Sequence, residues 1–183
     1  MDGFWRIAPT GAPRFDHRIR LVLANDEWQA SGYLLGVTEL LRTNLEDRIV
    51  GHLGPDLLGP DWDAEEAERR LRRAPDRPAG EALLDQANLA GIGNLYKSEA
   101  LFLAGVHPFR PIGDVMDVPG LVETARRLLD ENKDRIDQIT TGDRRAPTWV
   151  YGRRGRPCRR CGTPVASGSG DRVTFWCPRC QPA

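Results

Sequence analysis

The chain has 183 residues, 40% of them hydrophobic, which suits a folded protein and leaves room for one ordinary domain or two or three small modules. No run approaches the roughly 18 apolar residues that span a bilayer, and Asp2 among the first residues is unlike a signal peptide, so the expected compartment is the cytoplasm, with no membrane partner. Basic and acidic residues balance at 26 each, but Arg144 to Ala183 holds nine arginines, no lysine and one acid, Asp171, which is +8 there and −8 elsewhere. A basic module on a neutral chain suits a polyanion, and the planar arginine fork matches phosphate oxygens, although a solvated arginine-rich tail has the same composition.

Phe4 to about Leu45 reads as β structure. Arg18-Ile19-Arg20-Leu21-Val22-Leu23 alternates polar and apolar side chains, Asn25-Asp26 signals a turn, and Trp28 to Leu35 gives a second run, together a hairpin with one buried face. Two or three strands are marginal in water, so residues 1–50 are expected to be part of a larger sheet. His52 to Pro60, with two Gly and two Pro, reads as a linker. Asp61 or Asp63 can cap a helix running to about Arg73, with acids in its first turns and arginines in its last, the order that suits the helix dipole. A short helix is expected from Glu81 to about Asn88, then a glycine turn, Ala90-Gly91-Ile92-Gly93, and a helix from Asn94 to Ala104 closed by Gly105. Pro119 suits the start of a further helix to about Asp137, with Leu121, Val122, Ala125, Leu128 and Leu129 on one apolar stripe. Thr140 to Pro147 reads as a second linker. His17, His52 and His107 form no ligand spacing, and His107 before Pro108 reads as a turn residue that packs its ring.

All four cysteines lie in the last 26 residues. Cys158-x2-Cys161 and Cys177-x2-Cys180, fifteen residues apart, form a four-thiolate zinc pattern. Each Cys-x2-Cys knuckle presents two sulfurs to one ion, and Gly162 to Trp176 can form the β-hairpin that joins them. Four thiolates leave no open position for a catalytic water, so one structural Zn2+ is expected, supplying much of the folding free energy of so small a module. Such a module can bind nucleic acid, bind protein or brace a fold.

Gly91-Ile92-Gly93-Asn94 ahead of a helix offers unpaired N–H groups and a partial positive charge, a place for a phosphate to which the Asn94 side chain can add a donor. The same residues also suit a simple tight turn with Asn94 as cap.

The run Leu84-Asp85-Gln86-Ala87-Asn88-Leu89-Ala90-Gly91-Ile92-Gly93-Asn94-Leu95-Tyr96-Lys97-Ser98-Glu99-Ala100-Leu101-Phe102, continued by Val106-His107-Pro108-Phe109-Arg110-Pro111, resembles the helix–two-turn–helix signature of the formamidopyrimidine-DNA glycosylase/endonuclease VIII family. Val150-Tyr151-Gly152-Arg153, the two knuckles and Arg172-Val173-Thr174-Phe175-Trp176-Cys177 resemble that family's zinc finger, and the two signatures stand in family order. The resemblance implies an α+β fold: a partial N-terminal β-sandwich (1–50), a helical helix–two-turn–helix DNA-binding domain (61–139) and a zinc-finger β-hairpin (148–183). It implies a base-excision-repair DNA glycosylase/AP lyase that binds double-stranded DNA with a damaged base or abasic site, as a monomer near the bacterial nucleoid. Asn94 matches the turn asparagine, and Arg172 the hairpin-tip arginine, that hold phosphates beside the lesion, bend the duplex and keep the nucleotide flipped out. Such grips position the DNA and do not choose the lesion. Lys97 and Arg153 are further candidate phosphate contacts, whereas Glu99 reads as structural or solvent-facing. The short Thr140–Pro147 segment stands where formamidopyrimidine-type enzymes carry a long lesion-capping loop, which leans toward the endonuclease VIII branch.

In that family an N-terminal proline attacks the sugar C1′ as a secondary amine, aided by a glutamate beside it and a lysine on a later strand. Met1-Asp2-Gly3-Phe4-Trp5-Arg6-Ile7 resembles instead an internal family segment, with Met1 as the wedge that fills the gap left by the flipped nucleotide. On this reading about seventy residues, roughly half a sandwich, precede the segment in the family, either behind a start codon assigned too late or lost from a fragment. The chain alone is then expected to be inactive, with no catalytic residue of its own. The alternatives are a non-catalytic damaged-DNA-binding protein that uses the same grips, and an RNA- or ribosome-associated zinc protein.

Overall fold

A computed structural model describes residues 3–11, 16–170 and 172–183. The chain divides into two compact units, Met1–Ile49 and Val50–Ala183.

The first unit is a three-stranded antiparallel sheet in the order β1-β3-β2, from β1 (Phe4–Pro9), β2 (Ile19–Ala24) and β3 (Trp28–Tyr33). The expected hairpin is β2–β3. Its turn is tied by Asn25, whose Oδ1 accepts from the amides of Glu27 at 3.0 Å and Trp28 at 2.7 Å, the local bonding that makes asparagine a turn residue. Phe4 pairs with Tyr33 in register, and their rings stack at 4.8 Å. The β run ends at Tyr33, well short of Leu45. Leu34 adopts φ 51°, a left-handed conformation that a strand cannot continue through, and the chain folds back to lay the Leu35 side chain over Gly32. A short helix, α1 (Asp47–Val50), follows.

The second unit contains α2 (Ala64–Leu71), α3 (Ala79–Leu84), α4 (Asn94–Ala104), α5 (Val118–Asp130) and a hairpin of β4 (Ala166–Ser169) and β5 (Val173–Trp176). Asp63 caps α2 by accepting from the amides of Glu65 and Glu66. The expected stripe of α5 is buried, with α2 and α4 packed around it. At its other end α5 stops at Asp130, seven residues before the expected Asp137. There Asn132, 4% exposed, donates to the carbonyls of Leu128 and Ile139 and accepts from the Ile139 amide, turning the chain.

Neither expected linker is loose. Leu57 is fully buried in the main core, and the amides and carbonyls of residues 54–57 pair with Gln86 and Ala90. A Cβ on Gly54 would stand 2.5 Å from the Asn88 carbonyl oxygen, so only glycine permits this approach. Thr140, at the start of the second linker, is buried as well.

The organising element is α4. Seven consecutive residues, Tyr96 to Phe102, are buried, so it is enclosed on all sides rather than on one stripe. Leu101 and Ala100 face the helical core, while Phe102 enters a second core with Val150, Val165, Cys158 and Cys177. Burying a phenylalanine contributes about 1.5–3 kcal/mol, and here it joins the zinc module to the helical one. Among the described residues no helix is long and apolar enough to cross a membrane.

Candidate nucleic-acid interface and zinc centre

The four cysteine sulfurs lie within 4.8 Å of one another. Cys158 and Cys180 are 4.0 Å apart, and Cys161 and Cys177 are 3.4 Å apart. A tetrahedron with Zn–S bonds of about 2.3 Å has edges of about 3.8 Å, so the donor set fits one structural zinc ion. The surroundings hold the ligands in place. Gln181, fully buried, accepts from the Cys177 amide at 2.9 Å and donates to the Val106 carbonyl at 2.8 Å, pinning the second knuckle to the loop after α4. The Arg160 amide points at Cys158 Sγ at 3.4 Å, and the Arg160 guanidinium lies 4.5 Å from the Phe102 ring centroid.

The glycine turn is built around Gln86. Its Nε2 donates to the carbonyls of Leu84 and Ile92, and its Oε1 accepts from the Gly91 amide. Gly91 sits at φ +95°, which a side chain would strain. The turn delivers Gly93 as the N-cap of α4 without any side-chain cap and with no acid in the first turn, so the amides there keep their partial positive charge for an external anion. Asn94 is half-buried. One N–H of its Nδ2 donates to the Val173 carbonyl at 2.8 Å across 79 residues of sequence, and its Oδ1 is buried without a partner. The second N–H remains free to donate. Arg172, one residue before Val173, is exposed, and its guanidinium has no hydrogen-bond partner among the described residues. Asn94 and the hairpin tip therefore share one surface.

Two other candidates sit differently from the sequence reading. Lys97 is 1% exposed, and its Nζ donates to Thr174 Oγ1 at 2.7 Å inside the protein. Desolvation, with Arg172 nearby and opposed by Glu81, pushes its pKa down to about 8. Arg153 donates from Nη1 to the Trp149 carbonyl and from Nη2 to the Pro157 carbonyl, bracing the loop into the first knuckle, and burial lowers its pKa. Met1, the expected wedge, lies outside the described residues.

Glu99 is fully buried, so of its two readings the structural one is correct. It accepts from the amides of Trp149 at 2.7 Å and of Val150 and Tyr151 at 2.9 Å, and from the Thr140 hydroxyl. His107 packs its ring edge-on to Trp176 at 5.5 Å and accepts from the Phe109 amide, and burial, then Arg110, lowers its pKa. Thr174 and Gln181 were missed as contributors. Strand alternation is the signal that finds Thr174: with Val173 exposed, the next side chain faces inward and needs a polar partner. Gln181 carries no such local signal.

Comparison with known proteins matches residues 53–132 to the formamidopyrimidine-DNA glycosylase H2TH domain and residues 155–183 to the zinc finger found in FPG and IleRS. A probable endonuclease 8 2 of Streptomyces coelicolor is 52% identical over 193 residues, covering 99% of this chain and 69% of its own length. The chain belongs to the formamidopyrimidine-DNA glycosylase/endonuclease VIII family. Within this glycosylase/AP lyase family, the DNA-(apurinic or apyrimidinic site) lyase Nei2 of Mycolicibacterium smegmatis is 47% identical over all of this chain and 73% of its own. A Lactococcus lactis Fpg solved in complex with abasic-site DNA superposes with a TM-score of 0.81 at 26% identity, over 100% of this chain and 73% of that one. The α+β fold and the single structural zinc are those of the family.

Proposed function

We propose that this chain is the DNA-gripping body of a bacterial base-excision-repair glycosylase/AP lyase, acting as a monomer in the cytoplasm, near the nucleoid, on duplexes that carry a damaged base or an abasic site. Residues 61–139 and 148–183 serve as its helix–two-turn–helix and zinc-finger modules, and residues 1–50 as sheet belonging to the catalytic domain. One observation carries the reading: the Asn94–Val173 hydrogen bond sets the uncapped start of α4 beside the exposed Arg172 tip. A helix N-terminus with its asparagine amide and a guanidinium, from distant parts of the sequence, then face one backbone, which suits the phosphates on either side of a displaced nucleotide. The short Thr140–Pro147 segment favours abasic sites and oxidised pyrimidines as targets. Arg153 and Lys97, both spent on internal partners, drop out as direct contacts on this reading.

Fluorescence anisotropy with a duplex bearing a tetrahydrofuran abasic analogue, beside the same duplex undamaged, tests it. The abasic duplex is expected to bind more tightly. Arg172→Ala should weaken that binding by roughly 1–3 kcal/mol, the range for a charged hydrogen bond. Equal affinity for both duplexes, or an Arg172→Ala variant that binds as well as the parent, would defeat the reading.

A further inference from the structure

A buried ammonium is costly unless it is hydrogen-bonded, and the partner of Lys97 is informative. Its Nζ donates to Thr174 Oγ1 at 2.7 Å, and the Thr174 hydroxyl donates to the Arg172 carbonyl at 3.1 Å. An ammonium only donates, so the Thr174 oxygen accepts from it and its proton is directed at Arg172. One turn earlier on α4, Asn94 Nδ2 donates to the Val173 carbonyl. The two residues that follow Arg172 are thus each fastened to the same helix. Thr174 is 4% exposed, whereas Arg172 is exposed. Lys97, Glu81, Thr174 and Arg172 line one narrow cleft in which the two cations repel each other. Of the two, Arg172 is the one that reaches water.

We propose that Lys97 and Thr174 are positioning residues for Arg172: the buried Lys97–Thr174–Arg172 chain of hydrogen bonds fixes the hairpin tip so that the guanidinium meets a DNA phosphate in register with the start of α4. The inference rests on the reading of Arg172 as a phosphate grip. Neither Lys97 nor Thr174 touches the DNA. Their effect is to order the tip before binding, so that the cost of ordering it is not charged against affinity.

The test measures affinity and its salt dependence for the 183-residue chain on the tetrahydrofuran duplex. Thr174→Val keeps the side-chain shape, removes the hydroxyl and changes no charge. It is expected to weaken binding by about tenfold, the loss of one charged hydrogen bond. It should also reduce the slope of log K against log salt by about 0.9, the amount for one phosphate contact. A bystander in the core would leave that slope alone. Thr174→Ser should restore both quantities. On an Arg172→Ala background, neither Thr174→Val nor Lys97→Met should lose anything more. If Arg172→Ala lowers the slope while Thr174→Val and Lys97→Met do not, the positioning role is overturned and the grip stands. If the losses add, so that the Lys97→Met/Arg172→Ala double variant forfeits the slope of two contacts, Lys97 binds DNA itself and the inference is again overturned. If Arg172→Ala changes neither quantity, the grip reading fails and takes this inference with it. Zinc content and thermal melts report folding, and should Thr174→Val fail to fold, Lys97→Met decides by the same comparison.

Discussion

Glu99 shows how one side chain can replace a network of loop contacts. Three backbone amides and a hydroxyl donate to its carboxylate, drawing residues 140 and 149–151 onto α4. Glu99→Gln keeps the volume but turns an NH2 toward those amides, leaving buried donors facing one another. The expected cost is about 2–3 kcal/mol, a fall in Tm of several degrees for a chain of this size. An unchanged melt would show that the loop is held by something else. Lys97 makes the complementary case in pH. Its pKa is about 8 in the folded protein against 10.5 as an ordinary lysine. Between these values the unfolded chain holds the extra proton, so this residue makes stability rise with pH across the window, and its penalty is complete below 8. Urea melts at pH 7 and pH 10 should show wild type gaining on Lys97→Met as pH rises; parallel profiles would place the ammonium in water. None of this burial is visible locally. Lys97 and Glu99 are polar residues on a helix, and the Thr174 hydroxyl and the 149–151 amides that accommodate them lie fifty to eighty positions away in sequence.

At the scale of elements, the zinc hairpin is continuous with the helical module. Phe102 and Trp149 stack at 5.6 Å within the core that also holds Cys158 and Cys177. Removing zinc with a chelator is therefore expected to do more than unravel residues 155–183: it should lower the melting temperature of the whole second unit and abolish the preference for abasic DNA. A melting curve indifferent to chelator would refute the structural role of the metal. What could be read in advance at this scale follows a physical division. The bounds of α4, the Asp63 cap and the β4–β5 hairpin came from local chemistry: glycines at both ends of a helix, an acid before a run of helix formers, knuckles separated by a strand-length segment. The end of α5 and the two supposed linkers did not. Asn132 stops α5 by binding the backbone seven residues ahead, and Gly54 and Leu57 dock on the glycine turn more than thirty residues on. Such docking sites leave no mark on composition beyond the glycines and prolines that also characterise loose chain.

Over the whole molecule, stability is divided unevenly. Among the described residues of the first unit only Ser31 and Gly32 are buried, while Trp5 at 48%, Ile7 at 68% and Trp28 at 52% are exposed. The second unit holds both hydrophobic cores. Hydrogen exchange read by mass spectrometry should find the β1–β3 amides exchanging orders of magnitude faster than those of α4 and α5. Uniform protection would mean that the sheet has cover not visible in its own side chains. Charge is divided as sharply, with +8 in the last forty residues of a chain that sums to zero, so attraction to a polyanion is a property of one end. Within the second unit, α4 has a mechanical consequence. Asn94 lies on that helix and the two residues after Arg172 are hydrogen-bonded to it, so the protein's own contacts set the gap between the two anchors. On the proposed binding mode α4 is a gauge, and the duplex must conform to it at a deformation cost of about 1–6 kcal/mol. A strand that has lost a base, or stacks one badly, conforms for less. A stiff gauge would then sort DNA by its compliance, before any base edge is read.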